Sequence, residues 1–207
     1  MRFAQALILL GFAAPALVRA DLIDFETFPG GAPITDSTPI TTQFPGLTFT
    51  NTTVITAGIT LNEFEDPPHS GTNVAFDDGG PLSISFATPI TSFSAYFTYY
   101  EPLTLEGFDA SDTEVASAMS AYSINVGCDP GPVCLGDPGS SPNEFLILSS
   151  ASAMVNVTIT GDVFGSSFVM DDDTYTSGAP EVPEPSTVIL LATSLVVLRR
   201  FSKTLTS

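Results

Sequence analysis

The sequence predicts an all-β fold, a two-sheet antiparallel β-sandwich of jelly-roll type, flanked by terminal segments of a different character. Three observations carry that prediction. Short runs between Asp21 and Thr176 alternate apolar and polar residues with a period of two, as strands buried on one face do. Clusters of Pro, Gly, Asp and Ser interrupt these runs, as in FDDGGPL, ATPIT and GFDASDT. No sustained 3.6-residue apolar stripe intervenes, apart from a weak one across DTEVASAMSAYS, so the strands are expected to pack sheet on sheet.

Each run can be taken in order. GLTFTN sets Leu47 and Phe49 on one face. LSISFA sets Leu82, Ile84 and Phe86 opposite Ser83 and Ser85. SFSAYFTYY sets Phe93, Ala95, Phe97 and Tyr99 against Ser94, Tyr96, Thr98 and Tyr100. MVNVTITG sets Val155, Val157 and Ile159 against Asn156, Thr158 and Thr160, and SFVMDDDTYT closes the series. The chain of 207 residues has room for one such domain.

The ends read differently. Residues 1–20, MRFAQALILLGFAAPALVRA, carry a basic start, a short apolar run and small residues at its end, the pattern of a signal peptide for export. Residues 177–187 turn to small residues and proline, which predicts an extended linker. In residues 188–207 an apolar run from Val188 to Leu198 precedes Arg199, Arg200 and Lys203, a short transmembrane helix stopped by cations on its inner side. Eleven helical residues span about 16 Å, against a hydrocarbon core of roughly 30 Å, so as an anchor this helix is marginal.

Charge narrows the function classes. The chain has 23 acidic and five basic residues, a formal net charge of −18. The basic residues are Arg2, Arg19, Arg199, Arg200 and Lys203, so the body between Asp21 and Leu198 contains no Lys or Arg. Such a body cannot neutralise phosphates, which excludes nucleic acid as a partner. Cys128 and Cys134, in the turn-rich GCDPGPVCLG, are expected to form a disulfide in an oxidising compartment. They are a poor zinc set, with no neighbouring His and no CxxC spacing.

Pro183-Glu184-Pro185, then a short apolar helix, then Arg199 and Arg200, together with a signal peptide, resemble the PEP-CTERM sorting signal of exported bacterial proteins. The resemblance covers about residues 182–203. It implies an exosortase-type processing enzyme and the export machinery as partners, with a membrane stage through residues 188–198 before cleavage. It also implies a final place in the cell envelope or outside the cell. A GPI signal would end in its apolar tail, which this chain does not; a plain stop-transfer anchor is the alternative. Proline on both sides of Glu184 favours an extended backbone there, the form a processing cleft grips.

DLIDFETF at the start of the body and SFVMDDDTYT at its end resemble the first and last strands of galactose-binding-like jelly rolls, including carbohydrate-binding modules. That resemblance implies a structural calcium held by Glu26 and Asp171, with Asp172 as the alternative partner. Tyr96 and Tyr100, on the polar face of their strand, are the candidate ligand-binding residues for a glycan such as an exopolysaccharide. Covering of both by a neighbouring loop is the competing reading. His69, the single histidine, lies in the Pro-rich DPPHSG without a nucleophile elbow or cationic donor, so no catalytic residue is assigned and no enzyme is expected. The sequence therefore predicts an exported surface or matrix protein with a structural or adhesive, glycan-binding sandwich. The alternative is a secreted glycoside hydrolase using a carboxylate pair.

Overall fold

The protein is described from a computed structural model over residues 19–128 and 134–177. The signal peptide expected up to residue 20 lies outside these residues except for its last two. The linker lies outside them except for Ser177, which ends a strand, and Pro183, Glu184, Pro185, the helix expected at 188–198, Arg199 and Arg200 lie outside them as well. The described residues contain ten strands and no helix. These are β1 (Arg19–Ile23), β2 (Thr38–Pro39), β3 (Leu47–Thr50), β4 (Thr52–Thr56), β5 (Asn73–Asp77), β6 (Leu82–Tyr99), β7 (Thr104–Phe108), β8 (Glu114–Met119), β9 (Glu144–Thr160) and β10 (Phe168–Ser177).

All pairings between these strands are antiparallel, and they join into one sheet in the order β2-β4-β5-β10-β6-β9-β7-β8, with β1 beside β10 and β3 beside β6. The two separate sheets expected from the sequence are therefore hydrogen-bonded into one. The cause is that β6 and β9 are long and run through a corner together. LSISFA and SFSAYFTYY, separated in the sequence by the turn-like ATPIT, are one 18-residue strand. Irregular pairing falls between Ser85 and Ser92 on β6 and between Ser149 and Asn156 on β9. Strands that turn a corner do so through such irregularities.

The corner is visible in the burial phase of β6. Leu82, Ile84, Phe86 and Ile90 point inward before and at it, whereas Phe93, Ala95, Phe97 and Tyr99 point inward after it. A shift of one residue exchanges the faces of a strand, so both limbs can present apolar residues to one core. Ile84, Leu105 and Val157 from one limb share a buried cluster with Val54, Phe97 and Met170 from the other. Full burial of each such side chain contributes about 1.5–3 kcal/mol.

Two local expectations are corrected. The weak stripe across DTEVASAMSAYS is not helical, because Glu114–Met119 forms β8, paired with β7 from Thr104 to Phe108. Available sheet pairing overrides the helix propensity of Ala, Glu and Met. On β9, Met154 takes the buried position assigned to Val155, while Val157 and Ile159 are buried as the alternation requires. The corner displaces the register by one at that point.

Candidate functional site

Across β10 the sheet changes neighbours. Val169 and Met170 pair with Phe76 and Ala75 of β5, whereas Asp173 to Ser177 pair with Ile23 to Arg19 of β1. Asp171-Asp172-Asp173 lies at this switch, with Asp172 at φ +52° and one extra residue relative to β6. Facing it is the segment 57–72 between β4 and β5, which crosses the polar face of β6. The switch point holds Asp171 and Asp172, this segment holds His69, and Glu26, Tyr96 and Tyr100 contact one or the other.

Glu26 follows β1 and Phe25, a buried residue at φ +57° whose ring meets Phe44 and Phe49 edge-on. A bulky residue in the left-handed region is strained. Here the conformation sends Phe25 into the core and its neighbour to the loop. Glu26 Oε1 accepts hydrogen bonds from the Thr72 and Asn73 amides, both at 2.7 Å. Gly71, at φ +55°, leaves the space that Oε1 fills, since a Cβ there would lie 2.2 Å from it. Asp171 Oδ2 accepts from the Ser70 amide at 2.8 Å, and Asp172 Oδ1 accepts from the Ser70 hydroxyl at 2.9 Å. The structure thus brings Glu26, Asp171 and Asp172 to one loop, where each accepts donors from it. Among the described residues, no three His, Cys, Asp or Glu side chains gather as a ready-made metal cage.

Asp173 is 1 % exposed and neither carboxylate oxygen has a partner. Burial, with Asp171 and Asp172 adding like charge, pushes its carboxyl well above the usual range. Burial also raises Asp171, to about 7.

Tyr96 sits on the polar face of β6 and Tyr100 directly follows the end of that strand, and the 57–72 segment covers part of each. The His69 ring stacks flat on Tyr96, with Phe145 against the other aromatic contact at 5.1 Å between centroids. The Tyr100 hydroxyl reaches Asp66 Oδ2 at 2.9 Å and Glu65 Oε2 at 3.1 Å. No local pattern distinguishes Glu65 or Asp66 among the 23 acidic residues; their placement depends on the path of the loop over β6.

Beside Tyr100 is a pocket of about 240 Å³. Ile55, Leu61, Phe76 and Val169 form its apolar wall, and Thr60, Asn62, Asp66, Tyr100 and Ser166 supply its polar groups. Asp66 is 8 % exposed, and its Oδ1 is buried with no hydrogen-bond partner. Burial raises the Asp66 carboxyl to about 6 despite the Tyr100 hydrogen bond, and Glu65 adds to the rise. A small apolar pocket with a few converging polar groups is the usual form of a ligand site.

Elsewhere, a disulfide joins Cys128 and Cys134, as the sequence predicted. Next to it, the Gly127 amide donates to Glu65 O at 2.7 Å.

No protein-family model matches the chain, and no curated protein matches it. Among solved structures, the chain is similar to the K2 cleaved adhesin domain of Lys-gingipain, with 14 % identity and a TM-score of 0.46 over 76 % of this chain and 99 % of that one. It is similar also to a family 29 carbohydrate binding module, with 12 % identity and a TM-score of 0.37 over 78 % of this chain and 91 % of that one. It is similar as well to a CBM29-2 variant complexed with cellulohexaose, with 12 % identity and a TM-score of 0.37 over 77 % of this chain and 93 % of that one.

Proposed function

We propose that this protein is an exported, surface-displayed β-sandwich that binds glycans in the pocket lined by Tyr100 and Asp66, without catalysis. The observation that carries the reading is the buried carboxylate of Asp66 in the lining of a pocket with an apolar wall. A sugar ring offers an apolar C–H face to Ile55, Leu61, Phe76 and Val169 and hydroxyl donors to the acceptor. The pocket falls below the roughly 300–1,000 Å³ of drug-sized sites, which suits a single ring. Tyr96, with the half-exposed Phe145 beside it, offers a second contact to a longer chain.

The hydrolase alternative is disfavoured by the same geometry. Glycoside hydrolysis sets two carboxylates on opposite sides of the scissile bond. Glu65 and Asp66 come from one loop and approach one hydroxyl, so they occupy one side of the pocket.

The PEP-CTERM reading is proposed for the terminal segments: export, recognition of Pro183-Glu184-Pro185 by an exosortase-type enzyme, and parking of residues 188–198 in the membrane against Arg199 and Arg200. Its support is the order of these features in the sequence, together with the antiparallel pairing of β1 and β10, which brings Arg19 beside Ser177. Strand β10 runs from Phe168 at the pocket to Ser177, about 30 Å away at roughly 3.3 Å per residue. A chain held through its C-terminal segment would carry the pocket on its far end. Calcium at Glu26 with Asp171 or Asp172 is a separate proposal, supported by the crowding of carboxylates at the strand switch.

Retention of the purified chain on immobilised polysaccharides from its host tests the binding. Wild-type retention that Asp66→Asn and Tyr100→Ala reduce is the expected result; equal passage of all three removes the reading. Mass spectrometry of the C-terminus tests the sorting, with an end close to Pro183–Pro185 expected and an intact Ser207 contradicting it.

A further inference from the structure

Two hydroxyl hydrogens and one amide hydrogen of the pocket's polar side chains are already committed. The Thr60 hydroxyl donates to Asp36 Oδ1. The Asn62 amide donates to Glu65 Oε2 at 3.0 Å. The Tyr100 hydroxyl is held between Asp66 and Glu65. A phenol has one hydrogen, so these two carboxylates share a single donor. What the pocket offers a ligand is therefore chiefly the Asp66 carboxylate, with the Ser166 hydroxyl and the second Asn62 amide hydrogen as its remaining donors.

Charge points the same way. No Lys, Arg or His lines the pocket, and the sequence places no Lys or Arg anywhere between Asp21 and Leu198. Inside a partly enclosed, low-dielectric site, a carboxylate without a cation gains most from a ligand that brings one. An ammonium supplies three donors and a positive charge in a volume that fits beside one sugar ring.

Resting on the glycan reading above, we infer that the preferred ligand is an amino sugar with a free, protonated amine, which sits against Asp66 while its ring packs on Ile55, Leu61, Phe76 and Val169. Uronic acid and sulfated sugars are rejected by the same carboxylate and by the net charge of −18. N-acetylation of the amine removes the charge and two of the three donors, and so removes the preference.

The test is isothermal titration of the full chain at pH 6.5 with four hexasaccharides of defined chemistry: glucosamine, N-acetylglucosamine, cellohexaose and a galacturonate. The glucosamine oligomer is expected to bind about tenfold or more tightly than the other three, the scale of one hydrogen bond to a charged group. Asp66→Asn is expected to abolish that difference. Asp112→Asn removes the same charge from an exposed site and is expected to leave the preference intact. Equal losses in Asp66→Asn and Asp112→Asn would overturn the inference, because they would mean general attraction of a polycation to an acidic surface. Cellohexaose binding as tight as the glucosamine oligomer would overturn the inference while leaving the glycan reading standing. No binding by any of the four would remove both.

Discussion

The His69 ring lies flat on Tyr96, with centroids 3.4 Å apart and planes 8° apart, and its Nδ1 meets Asp172 Oδ2 at 2.6 Å. One side chain thus fastens the 57–72 segment to two adjacent strands, β6 by stacking and β10 by a polar contact. The segment also carries Asp66, so the form of the pocket depends on that fastening.

His69→Ala is therefore expected to destabilise the domain by about 1–2 kcal/mol, the scale of an aromatic contact plus a partly buried hydrogen bond. Glycan binding should weaken with it, although His69 does not line the pocket. Thermal melts and titration of the same variant check this. An unchanged melting temperature would show that the segment's other contacts, at Glu26, Ser70 and Tyr100, hold it without His69.

Stability should depend on pH in a set direction. Burial raises the carboxyls of Asp66, to about 6, and of Asp77, each from an ordinary value of 3.8. Between those limits the unfolded chain has released protons that the folded chain still holds. Each group therefore withdraws up to about 1.4 kcal/mol of stability per pH unit as pH rises through the window, and contributes most below it. The melting temperature of the full chain is expected to fall between pH 4.5 and 6.5, and Asp66→Asn should flatten the slope. A melting temperature that rises over this range in wild type would contradict the assignment.

The calcium proposal has its own readout. With an ion at Glu26 and Asp171 or Asp172, EDTA lowers the melting temperature, and Asp173→Asn, next to the site, lowers it as well. Without an ion, EDTA has no effect at low salt. Asp173→Asn then raises the melting temperature, because it removes a buried carboxyl whose two oxygens have no partner. The first pair of results is the proposal's expected outcome; the second removes it.

Reduction of Cys128–Cys134, or replacement of both by Ser, should cost about 2 kcal/mol, the chain-entropy value for a six-residue separation. Denaturant melts of the double variant check the magnitude. A loss above about 4 kcal/mol would show that the loop tied through Gly127 and Glu65 supports the domain beyond its own closure.

Much of the fold was legible because period two survives wherever one face is buried. Leu82, Ile84 and Phe86, and then Phe93, Ala95 and Phe97, are buried as the alternation requires. What the sequence concealed is the corner between them. A phase change spread over Ala87, Thr88 and Pro89 looks like a turn, and only the matching irregularity in β9 shows that the strand continues. Strand β8 was obscured by residues that favour helix when no partner strand is known. Tyr100 was legible as a polar-face aromatic, and Cys128 and Cys134 as a pair. Asp66 was not, because its burial comes from a loop crossing a sheet, a long-range relationship with no local pattern.

The measurement that tests the central claim most directly is amide chemical-shift mapping of the full chain titrated with a hexasaccharide that it retains. Binding in the pocket predicts shifts concentrated at Ile55, Thr60 to Asp66, Phe76, Tyr100 and Ser166 to Val169, absent in Asp66→Asn. Saturable binding with shifts confined to the outer limb of β7 and β8 would contradict the account, since it would place the glycan on a surface more than one sheet-width from Asp66.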